Sequence, residues 1–174
     1  MRIYDGSPRQ NYEEVLRSIG AFLDQRGMRE VLLVEVPDGF VVQGLVIETA
    51  TADAWSEHLG LQAKETFTFL DDDIGRFMEE GHARRNNKKR AVTWGQAGYY
   101  ERAFRVVGRY VDEQKPHDVF FFEQDGVFVL RLLMWTQTGS RHVIAEFTRE
   151  EVEAMIAAAQ DFRGGKVVKP QAGA

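Results

Sequence analysis

Apolar positions along this chain run first at helical spacing, then without interruption, then in alternation, and the whole succession occurs twice. Val15, Leu16, Ile19, Phe22 and Leu23 mark one face of a helix that starts near Asn11 and stops at Gly27. Ala103, Phe104, Val107, Tyr110 and Val111 mark a second such face, over about Tyr99 to Gln114, closed by Pro116. Each helix leads into a continuous apolar run, Val31-Leu32-Leu33-Val34 and Val119-Phe120-Phe121-Phe122. Runs of this kind predict strands covered on both faces. Asp38-Gly39 and Asp125-Gly126 then predict hairpin turns into return strands over 40–47 and 127–135. A third strand, near 63–69 and 141–147, alternates polar and apolar residues as on an edge or half-exposed strand. A closing helix follows in each half, with Asp71-Asp72-Asp73 or Glu150-Glu151 at its positive end and Thr148–Glu151 at capping-box spacing.

The two halves share residues as well as pattern. Residues 12–35 realign on 100–123, pairing Tyr12 with Tyr100, Glu13 with Glu101, Arg17 with Arg105, Gly20 with Gly108 and Asp24 with Asp112. The fold expected is α+β: a tandem duplication of an α-β-β-β-α unit with antiparallel strands and pseudo-twofold symmetry. The first repeat covers 1–90 and the second 91–174, with a flexible tail over 166–174. Whether the two units share one sheet or face each other as layers stays open. The cover for the second strand face is expected from the sister unit or from a second chain.

On the first helix Glu13, Arg17, Gly20 and Asp24 form a stripe well away from the apolar one, and all four recur as Glu101, Arg105, Gly108 and Asp112. A glycine inside a helix costs about 1 kcal/mol relative to alanine. Its presence in both copies predicts a crossing of the two helices there, glycine against glycine, with Glu-Arg pairs along or across it.

Composition then narrows the function. The chain has 174 residues, 44% hydrophobic and 28% charged, as in an ordinary globular protein. It has no cysteine, which removes disulfides, thiol catalysis and zinc-thiolate sites. Met1–Gly6 holds no apolar run of signal-peptide length, and a cytoplasmic location without membrane association is expected. The net charge of −5 argues against general nucleic-acid binding. His58, His82, His117 and His142 stand far apart, so no metal is expected, and no cofactor fingerprint is present.

Two segments differ between the halves. Glu48–Gly60 is longer than its counterpart and carries Trp55 and His58, a candidate binding loop. Arg84-Arg85-Asn86-Asn87-Lys88-Lys89-Arg90 places five basic residues in seven without an acid. That cluster suits phosphate groups, with Trp94, Tyr99 and Tyr100 near enough in sequence to stack on bases. The functional expectation is a non-enzymatic binding or interaction protein that acts on a protein partner or on itself as a homodimer. The aromatic strand residues Phe120, Phe121, Phe122, Phe128 and Trp135 motivate the homodimer. The alternative is a nucleic-acid-binding module using the basic junction. A third reading is an enzyme with Glu35 and Glu123 paired in a cleft between the repeats.

Overall fold

The computed structural model describes residues 11–47, 62–84 and 92–159, together with short strands at Phe162–Arg163 and Lys166–Val167. In chain order these are α1 (Tyr12–Arg26), β1 (Met28–Val36), β2 (Gly39–Ile47), β3 (Gln62–Leu70), α2 (Asp71–Arg84), α3 (Tyr99–Gln114), β4 (Asp118–Gln124), β5 (Val127–Thr136), β6 (Gly139–Phe147), α4 (Arg149–Ala158), β7 (Phe162–Arg163) and β8 (Lys166–Val167). The protein is α+β. Six strands make one antiparallel sheet in the order β3-β2-β1-β4-β5-β6. The two three-stranded groups therefore join edge to edge, through β1 and β4, instead of stacking as layers. The joint is short: Leu32 pairs with Phe122, Leu33 with Phe121 and Val34 with Phe120.

Local chemistry explains the helix ends. Asn11 accepts a hydrogen bond from the Glu14 amide, and Gly27, at φ 70°, ends α1 in the left-handed region that glycine tolerates. Thr148 and Glu151 form a complete capping box at the start of α4. The described helices share one layer, in the order α2, α1, α3, α4, with α1 packed most extensively on α3. None of them is long and apolar enough to cross a membrane.

The core lies between that layer and one face of the sheet. Val15, Leu16, Ile19 and Leu23 of α1 and Ala103, Phe104, Val107 and Val111 of α3 are fully enclosed. Beneath them lie Val31, Leu33, Phe40, Val42, Phe121, Phe128, Leu130 and Leu132. Ring edges set the packing: Phe104 meets Phe121 at 5.1 Å and Phe128 at 5.9 Å, and Phe22 meets Phe67 at 4.7 Å and Phe69 at 5.5 Å. Edge-on rings let α1 and α3 settle close to the sheet while their aromatic neighbours interlock.

The expectation that the sister unit covers the second face of the strands needs correction. Burial alternates along β4 and β5, with Val119, Phe121, Phe128, Leu130 and Leu132 enclosed and Phe122 and Arg131 exposed. The sister half extends the sheet and so covers nothing on its far side. Continuous apolar character here marks two different surfaces, the core and an apolar face with no described element over it.

Candidate interaction surface

Residues on that second face follow from register and pleat. Across the middle strands its apolar residues are Leu32 and Val34 of β1, Val41 of β2, Phe120 and Phe122 of β4, and Val129 and Leu133 of β5, with Gln43 of β2 and Arg131 of β5 set among them. Lys64, Thr66 and Thr68 bound this centre on edge strand β3, and His142, Ile144 and Glu146 bound it on edge strand β6. Among the described residues the large exposed hydrophobic ones are Leu70 (44%), Phe122 (40%), Trp135 (64%) and Ile144 (71%), and register places all four on this face. Single exposed apolar residues are ordinary on a protein surface, whereas a contiguous set rimmed by polar groups marks an interaction site. The Arg131 guanidinium donates to His142 Nδ1 at 3.1 Å, which makes that ring nitrogen an acceptor. Trp135 leans edge-on to His117 at 4.8 Å at one end of the face.

The crossing of α1 over α3 lies on the opposite side of the sheet and is built from reciprocal contacts. Asp24 accepts from the amides of Tyr100 (3.0 Å) and Glu101 (2.9 Å), and Asp112 accepts from those of Tyr12 (2.9 Å) and Glu13 (3.0 Å). Each helix thereby caps the first turn of the other. Gly98, at the N-cap of α3, supplies no side-chain bond of its own, so Asp24 satisfies donors that would otherwise be orphaned. Arg17 pairs with Glu101 at 3.1 Å and Arg105 with Glu13 at 3.2 Å. The expected glycine-on-glycine contact is corrected in detail: each glycine faces the other helix's first turn. A Cβ on Gly20 would stand 2.7 Å from the Tyr100 carbonyl carbon and 2.9 Å from Glu101 Cα. One on Gly108 would stand 2.6 Å from the Tyr12 carbonyl oxygen. The antiparallel helices approach at their ends, and the glycines sit where those ends land.

Burial governs the charges of this crossing. It raises the Asp24 carboxyl to about 7 against the lowering effect of its two amide donors, and it raises Asp112 likewise. Burial also raises Glu13 against the opposing effect of Arg105, and lowers Arg105 itself.

Glu35 and Glu123 do not meet. Tyr12 donates its hydroxyl to Glu35 at 2.6 Å, and Tyr100 donates its hydroxyl to Glu123 at 2.9 Å. In the β1–β4 register Glu35 and Glu123 occupy positions four residues apart, about 13 Å along the strands. Glu123 also accepts the Gly126 amide at 2.8 Å, and burial holds its carboxyl above the usual range. It lines a cavity of about 130 Å³ with Arg29, Trp94 and Asp125, and Glu35 is not part of that lining. A hollow of about 170 Å³ shares Arg29, Trp94 and Tyr100 with it. The bulge in β1 between Arg29 and Leu32, with Glu30 at φ 51°, shapes the rim. Among the described residues no group of His, Asp and Glu could hold a metal ion.

Of the other candidate residues, Arg84 ends α2, while Arg85, Lys88, Lys89, Arg90, Trp55 and His58 lie outside the described residues. The aromatic strand residues expected to form a homodimer surface divide between two faces: Phe121 and Phe128 lie in the core, whereas Phe122 and Trp135 lie on the open face. The signal for that division was present in Phe120-Phe121-Phe122, where successive side chains must point to opposite faces. Comparison with protein-family models, with curated proteins and with solved structures finds no match to this chain.

Proposed function

We propose that this is a non-enzymatic interaction protein whose working surface is the open face of the six-stranded sheet. The observation that carries the reading is the gathering of Leu70, Phe122, Trp135 and Ile144 on that one face. The cavity beside Glu123 supports catalysis poorly. Its buried carboxyl is already engaged by a tyrosine hydroxyl and a backbone amide, and the carboxylate proposed as its pair stands elsewhere.

The scaffold is read as a tandem duplication with pseudo-twofold symmetry. Supporting it are the reciprocal Asp caps, the reciprocal Glu-Arg pairs, the two Tyr-Glu bonds and the palindromic strand order. An interaction surface made by such a duplication inherits the symmetry, with β1 and β4 at its centre.

A photo-crosslinking residue in place of Trp135, compared with one in place of exposed Arg109 on α3, tests the reading in producing cells. Crosslinks to protein are expected from position 135 and not from 109. Silence at 135 would sink it.

A further inference from the structure

We infer that the occupant of the open sheet face is a second copy of this chain, packed face to face about a twofold axis that runs along the strands between β1 and β4. The inference rests on the reading of the sheet face as the working surface and supplies its partner.

Area is the first argument. Strands β1, β2, β3 and β6 have nine residues each, β4 seven and β5 ten. Six such strands about 4.8 Å apart, at roughly 3.3 Å per residue, present roughly 800 Å² per face. A stable interface of standard size takes about 800 Å² from each partner.

Complementarity is the second, and it selects the axis. Facing sheets of different copies are related by a twofold axis lying in the plane between them. An axis parallel to the strands keeps each residue at its own level and exchanges β1 with β4, β2 with β5 and β3 with β6. Phe122 then faces Leu32 of the partner subunit, and Phe120 faces the partner's Val34, a large ring against a smaller aliphatic group at each site. Sheets packed about 10 Å apart fill their interface by such alternation. Arg131 lies over the partner's Val41, well away from its own copy. On the rim, Glu146 lies over the partner's Thr66, one same-face step from the partner's Lys64, so opposite charges meet twice per dimer. An axis across the strands at the level of Arg131 would instead lay β6 over β6 and β5 over β5, setting Arg131 against its own copy.

Sedimentation velocity of the purified full chain is expected to show a dimer at tens of micromolar. Phe122→Glu should weaken it at least about 30-fold, as for a residue at the centre of an interface, with the far-UV circular dichroism unchanged. Should that variant misfold, Ile144→Lys at the periphery provides the second reading. Lys64→Glu should weaken the dimer and Lys64→Glu with Glu146→Lys should restore it. The chain has no cysteine, so Ile144→Cys and Thr68→Cys chains can be mixed with a short bis-maleimide. Mixed crosslinks between the two variants support the axis; crosslinks of Ile144→Cys only to itself overturn it. A strict monomer overturns the second copy. If position 135 still crosslinks to another protein in cells, the sheet-face reading survives that failure, and if it does not, both fall.

Discussion

Gly20 and Asp24 show how much a few atoms decide at the α1–α3 crossing. Alanine at Gly20 would gain about 1 kcal/mol of helix propensity, yet its methyl group would enter the backbone of Tyr100 and Glu101. Overpacking of this kind costs about 1–3 kcal/mol. Gly20→Ala is therefore expected to lower the urea midpoint, and an unchanged or higher midpoint would remove the close-approach argument. Asp24→Ala strips a cap from two amides of α3 and should cost about 2 kcal/mol by the same measurement. The Asp24 carboxyl, raised from 3.8 to about 7 by burial, holds its proton more tightly folded than unfolded. Its contribution to stability is thus fully present below about pH 4 and is lost as pH rises through about 7. Wild type should hold a larger advantage over Asp24→Asn at pH 5 than at pH 8, as read by thermal unfolding. An advantage that grows with pH would mean that the amide donors and the helix dipole outweigh burial.

At the scale of elements, neighbouring residues on one strand carry opposite duties. Phe121 packs under Phe104 and Phe128, whereas Phe122 points to the open face. Phe121→Ala should cost about 3–5 kcal/mol of folding stability by denaturant titration. Ile144→Ser, on edge strand β6, should change it by under about 0.5 kcal/mol when measured at high dilution. Similar losses at both positions would mean that the second face is enclosed within the monomer. Helix faces, turn positions and the edge character of β3 and β6 were legible along the chain, because period and turn chemistry are local. Cover over the middle strands was not. An apolar run reads the same whether its second side meets a helix, another sheet or solvent.

For the whole molecule, the α+β class and the elements α1–α4 and β1–β6 followed from sequence alone, while the short β7–β8 pair did not: the signals were 3.6-residue and two-residue periods, two Asp-Gly turns, and caps at Asn11 and Thr148. These are interactions between residues a few positions apart, and they act wherever the segment sits. Tertiary structure alone decided that β1 and β4 join the strands into one sheet, that the four described helices gather on one side, and that Asp24 and Asp112 cap helices in the opposite half. It also separated Glu35 from Glu123, two residues that looked like a pair only while their strand register was unknown. Register and layer assignment depend on contacts between residues about 90 positions apart. No local pattern encodes such contacts, because many long-range pairings satisfy the same alternation until packing selects one.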